Sequence, residues 1–190
     1  TPPNSVPIPL QIGTATDWQT ISAGEKHSMA LKTTGMLWAW GLNANGQLGN
    51  GITANIISPT QIGTDTWLQI SAGGNWTSGI KLNGTLWYFG FNLNNNTYGQ
   101  FQVGTDNDWQ KVGFGGQHCL CIKNNNTLWS FGFDNTYGQQ GIGPVSPSED
   151  VAVQIGTATN WQLAVGGIFH SEAIKADGTL WAFGDNTSGQ

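Results

Sequence analysis

The side chains able to do chemistry are few, and most recur. His27, His118 and His170 stand eleven residues before Trp38, Trp129 and Trp181. A histidine can serve as a general base or a zinc ligand. Three that hold one position of a tandem pattern, however, are spread through a molecule rather than gathered on one ion. Each is expected to hydrogen-bond nearby backbone in its own repeat. Cys119 and Cys121 lie two apart on a strand and share a face. That geometry disfavours a disulfide between them, and with His118 they fall short of a zinc set. They read as small buried apolar side chains. Asp106 with Asp108 and Glu149 with Asp150 are the close carboxylate pairs. Neither has an evident partner, so solvated loop acids are expected. Glycines of the Gly24 type lack the strand, Gly-rich loop and helix of a phosphate cradle. They are expected to serve positive φ or close backbone approach. The reading is no catalytic residue, no cofactor and no metal.

Composition narrows the partner. Charged residues make up 9% of the 190, against about 25% in a typical domain. Net charge is −5, with six Lys and no Arg. Without the forked guanidinium that grips phosphates and guanine edges, nucleic-acid binding is not expected. Ten Trp and 28 Gly between short apolar runs suit an all-β chain rich in tight turns. No apolar run approaches the ~18 residues of a membrane span. Residues 1–9, with their closely spaced prolines, read as a linker or connector.

The elements that carry these residues are four copies of one unit, at about 1–49, 50–100, 101–140 and 141–190. They align on Leu37-Trp38, Leu86-Trp87, Leu128-Trp129 and Leu180-Trp181, each with another Trp twenty residues earlier, at 18, 67, 109 and 161. Lys32, Lys81, Lys123 and Lys175 recur six before the second Trp, and Gly41, Gly90, Gly132 and Gly184 three after it. Asn83-Gly84 and Asp177-Gly178 are strong hairpin turns. The strand that follows, Leu-Trp-x-aromatic-Gly, is apolar on both faces, so Trp38, Trp87, Trp129 and Trp181 are expected to be nearly buried. Further strands are expected at Trp18–Ser22 and at Pro59–Gly63, the latter with counterparts at Gln11–Gly13 and Gln154–Gly156. Four short strands per unit of about 48 residues describe a β-propeller blade.

The run Ile21-Ser22-Ala23-Gly24-x-x-His27-Ser28-x-Ala30-Leu31-Lys32, followed by Leu37-Trp38-Ala39-Trp40-Gly41-x-Asn43-x-x-Gly46-Gln47-Leu48-Gly49, resembles the regulator-of-chromosome-condensation repeat. The resemblance covers essentially the whole chain. It implies an all-β propeller of four-stranded blades, four of them here, within a seven-bladed ring. The Asn-rich, Arg-free style is similar to secreted bacterial members. An arc of four blades needs its end faces covered, by further repeats, by a second copy, or by tight closure on itself. Further repeats are the favoured expectation.

The pattern breaks at aromatic residues. Trp76 takes a His position, Ile168-Phe169 replace residues such as Glu25-Lys26, residues 91–98 look like a loop insertion, and Phe133 and Tyr137 follow the third copy's block. Aromatics on loops are typical interface anchors. The expected partner-binding residues are Trp76, Phe91, Tyr98, Phe133, Tyr137 and Phe169. The expected function is a non-catalytic binding module, extracellular or at a cell surface, that engages a protein or carbohydrate through one propeller face. The alternative is a regulatory partner protein, as the resemblance implies: nucleotide exchange on a GTPase, or enzyme inhibition.

Overall fold

The computed structural model describes residues 7–143 and 150–190. The linker expectation for residues 1–6 and the pairing expected of Glu149 lie outside them. Fourteen antiparallel strands form among the described residues. The first blade is β1 (Trp18–Ala23), β2 (His27–Lys32), β3 (Met36–Gly41) and the start of β4 (Ile56–Ala72). The end of β4 opens the second blade, which continues through β5 (Thr77–Lys81), β6 (Leu86–Asn92) and β7 (Thr97–Gln102). The third blade is β8 (Trp109–Phe114), β9 (His118–Lys123), β10 (Leu128–Gly132) and β11 (Val153–Gln154). The fourth is β12 (Trp161–Gly166), β13 (His170–Lys175) and β14 (Leu180–Gly184). Gln11–Gly13, expected as a strand, is irregular and exposed. Its counterparts Gln61 and Gln154 pair with Trp38 and Trp129 in the Leu-Trp strand of the unit before them.

Each blade is organised by one ion between two rings. A bulge follows the first Trp of every blade and sets it opposite the repeat lysine: Trp18 against Lys32, Trp67 against Lys81, Trp109 against Lys123, Trp161 against Lys175. The ammonium lies 4.6–5.3 Å from that ring and 3.6–4.7 Å from the ring of the Leu-Trp strand. The second ring is held by its own hairpin. In the second blade Asn83 accepts from the backbone and hydroxyl of Thr85, and Thr85 Oγ1 accepts from Trp87 Nε1 at 2.8 Å. The third and fourth blades repeat the chain with Asn125, Thr127, Trp129 and Asp177, Thr179, Trp181. Asp106 and Asp108, expected to be free acids, both grip the Lys123 ammonium. Asp150 likewise has partners, Asn92 and Asn94.

This arrangement corrects one expectation. The Leu-Trp rings are half-buried, not buried, and Trp181 is exposed. The buried tryptophans are the inner ones, Trp67, Trp109 and Trp161. The outer ring covers the lysine at the blade surface, while the inner ring sits beneath it. We therefore expect Trp109→Ala to cost about 3–5 kcal/mol and Trp129→Ala only about 1–2 kcal/mol. Urea unfolding midpoints of the two variants measure this, and the reverse order would move the core to the outer rings.

Blades stack through a fixed pair of apolar faces. Leu37, Leu86 and Leu128 are fully buried against the following blade, and Ile70, Val112 and Ala164 against the preceding one. Their equivalents at the two ends, Leu180 and Ile21, are 66% and 77% exposed. The arc is open at both ends, which rules out tight four-blade closure for this chain.

Candidate functional site

The repeat histidines belong to the junctions, and they correct a second expectation: their partners are in the next blade. His27 Nε2 lies 2.9 Å from Thr77 Oγ1, and His118 Nε2 lies 2.7 Å from Ser171 Oγ. Each hydroxyl donates its one proton to a carbonyl, Thr77 to Gln47 O and Ser171 to Gln139 O. The imidazole must therefore be the donor, which fixes the Nε2–H tautomer. Burial pushes both rings down to about 4, for His118 against a nearby Asp134 that works the other way. These are neutral struts.

The second junction lacks this latch on both sides. Trp76 replaces the histidine and Cys119 the hydroxyl. The Trp76 ring stacks on Phe133 of the third blade, with centroids 3.8 Å apart and planes 20° from parallel. Cys119 is buried beside Ser78, and burial lifts its thiol to about 12; Cys121 is lifted as well. Neither sulfur is a ready nucleophile, as expected of small buried side chains.

The loops entering β2, β5, β9 and β13 pack against one another from blade to blade. Their backbones link from blade to blade: Glu25 N to Gly73 O, Gly74 N to Gly115 O, and Gly116 N to Gly167 O, at 2.9–3.2 Å. Close approach is what the glycines provide. A Cβ on Gly73 would stand 2.1 Å from Gly115 O, and one on Gly115 2.4 Å from Gly167 O. The loops surround a recess of about 710 Å³ lined by Glu25, Asn45, Asn75, Trp76, Gln117 and Phe169.

The structure sorts the six aromatic candidates into three contacts. Trp76 with Phe133 and Phe169 with Tyr137 (centroids 5.1 Å apart) border the recess or back its wall. Phe91 and Tyr98 form a separate pair, 4.9 Å apart, with Tyr98 against Gly46 of the first blade. Residues 91–98 are not a loop insertion. Phe91 and Tyr98 are cross-strand partners in β6 and β7, closed by a turn at 93–96. The amide side chains at the mouth, Asn45, Asn75 and Gln117, were not foreseen. Only their shared offset before the His position could have signalled Asn75 and Gln117.

The repeat signature is matched directly: the regulator of chromosome condensation (RCC1) repeat aligns with residues 18–47, 109–139 and 162–190, and a second description of the same repeat with 34–80. This chain belongs to the RCC1 repeat family. Its fold is similar to the crystal structure of human WBSCR16, at 21% identity and a TM-score of 0.77 over 89% of this chain and 48% of that one. Yeast RCC1 (Prp20), solved bound to Kap60, matches at 16% identity and 0.78 over 92% and 46%. Saccharomyces cerevisiae Prp20p, described with its binding to Gsp1p and histones, matches at 20% and 0.74 over 89% and 44%. The RCC1-repeat chain thus spans about half the length of these propellers. No helix among its described residues is long and apolar enough to cross a membrane.

Proposed function

We propose that the chain is a non-catalytic interaction module that holds a protein partner at the recess, in a secreted or cell-surface setting. One observation carries the proposal. Where the repeat places His and polar residues, this chain places Trp76 and Phe169 at the mouth, each supported by a second ring. Large rigid rings beside amide side chains suit a peptide surface. A sugar face would suit the same rings, and glycan binding is an outcome of the test. The Asn-rich, Arg-free style, similar to secreted bacterial members of the family, supports the extracellular setting. A regulatory role on an enzyme or GTPase is the second reading, favoured by the fold shared with Prp20p, which binds Gsp1p.

The test is capture from the native source by the immobilised chain, with mass spectrometry of what is retained. Trp76→Ala with Phe169→Ser is expected to lower retention at least tenfold while the circular dichroism spectrum stays unchanged. Undiminished capture would move the site away from the recess. Retention of glycans without protein would replace the protein partner, and accelerated nucleotide release from a captured GTPase would establish the second reading.

A further inference from the structure

Asn is followed by Gly at Asn45-Gly46, Asn50-Gly51 and Asn83-Gly84. We propose that Asn50 is a site of self-modification, where the backbone nitrogen of Gly51 displaces the Asn50 side-chain amide, and that the fold holds the other two pairs unreactive.

The chemistry needs only water. Gly51 N gives up its proton and bonds to Asn50 Cγ. The Cγ–Nδ2 bond breaks, and Nδ2 takes a proton from solvent and leaves as ammonia. Water then opens the resulting five-membered imide on one of its two sides. Opening at Cγ gives aspartate. Opening at the Asn50 main-chain carbonyl carbon gives isoaspartate, in which the main chain runs on through Cγ. Glycine is the favourable neighbour because no Cβ crowds the attacking nitrogen.

What distinguishes the three pairs is the state of that nitrogen. Gly46 N donates to Asn43 O at 2.9 Å, and Gly46 is buried against the Tyr98 ring and Gly90 O. Gly84 N donates to Lys81 O at 2.9 Å, and Asn107 O stands where a Cβ on Gly84 would go. Gly51 is exposed, and among the described residues its N–H donates no hydrogen bond. A Cβ on it would meet nothing nearer than Tyr98 O at 4.0 Å, so this peptide has room to move. The side chain is already turned toward it. Ile52 N donates to Asn50 Oδ1 at 3.3 Å, which folds the carboxamide back over the intervening Gly51 peptide.

The product would alter the anchor of this loop. Asn43 is fully buried, and its Nδ2 donates to Asn50 Oδ1, Ile52 O and Ala54 O, while its Oδ1 accepts from Leu48 N. Isoaspartate at position 50 lengthens the main chain by one carbon between Leu48 and those carbonyls. It also adds a negative charge to a chain of net charge −5. The change therefore lies one hydrogen-bonded residue away from Leu48, which is buried in the core between the first two blades.

Ageing the purified chain in mildly alkaline buffer, with tandem mass spectrometry of its proteolytic peptides, tests this. Asn50 is expected to convert, to isoaspartate as well as aspartate, about tenfold faster than Asn45 or Asn83, whose attacking N–H must first give up a hydrogen bond. In the urea-unfolded chain the three pairs should convert at comparable rates. Asn50→Gln should abolish the fast conversion, because its longer side chain would have to close a six-membered ring. Equal rates at the three pairs in the folded chain overturn the proposal, as does an Asn50 that stays intact while the unfolded chain reacts. An unfolded chain that keeps the folded ranking overturns protection by the fold.

Discussion

Acidification from pH 7 to pH 4 is expected to remove several kcal/mol of stability through two side chains. His27 and His118 hold folded-state values of about 4, against 6.5 when unfolded. A lowered folded value means that the unfolded chain takes up protons first. Stability is therefore full above 6.5 and falls as pH drops toward 4. Every tenfold loss of proton affinity on folding is worth about 1.4 kcal/mol, so each ring contributes on the order of 3 kcal/mol to the loss. The structural consequence is specific. A protonated imidazole puts a charge into a junction where Nδ1 meets no acceptor, and its blades separate first. Thermal melts between pH 7.5 and 4 measure the effect. His27→Gln with His118→Gln keeps an N–H donor and removes the titration, so its melting temperature should be lower at pH 7 but much flatter with pH. A parent chain equally stable at pH 7 and pH 4.5 would refute buried neutral histidines.

What the sequence made legible was periodic, and what it hid was between periods. The Trp-to-Trp spacing and the hairpin dipeptides led directly to blades, because those contacts are local and repeat with the chain. The histidines, expected to bond backbone within their own blade, instead bond hydroxyls of the next one. Their true partners, Thr77 and Ser171, lie fifty residues or more away, and a single repeat shows only that both positions recur. The lysine cage was hidden for a related reason. A bulge after each inner Trp shifts the register, and strict alternation then puts the wrong ring in the core. At the candidate site the aberrant residues stood out by contrast with the repeat. Their pairing into Trp76–Phe133 and Tyr137–Phe169 did not, since each pair bridges two blades. Trp76 in place of His and Cys119 in place of the hydroxyl fall at one junction, on its two sides.

The loop glycines make the sharpest comparison between an inner and an outer junction. Gly24, Gly73, Gly115 and Gly167 occupy one repeat position, and none takes positive φ, so only space decides what fits there. An alanine Cβ at Gly73 or Gly115 would sit 2.1 or 2.4 Å from a carbonyl oxygen of the next blade's backbone, far inside contact distance. Neither backbone can yield without lengthening the linking hydrogen bonds, Gly74 N to Gly115 O and Gly116 N to Gly167 O. Among the described residues no blade follows Gly167. The atoms nearest a Cβ there belong to the His170 ring, at 2.3–2.9 Å, and a half-exposed side chain can swing away. Gly73→Ala and Gly115→Ala are therefore expected to lose about 3 kcal/mol or more, at or beyond the upper end of overpacking costs, while Gly167→Ala loses under about 1 kcal/mol. Urea unfolding of the three variants at pH 7.5, above the histidine titration, separates this from the acid effect. Equal losses at all three positions would mean that the residue's own loop, and not the next blade, demands glycine.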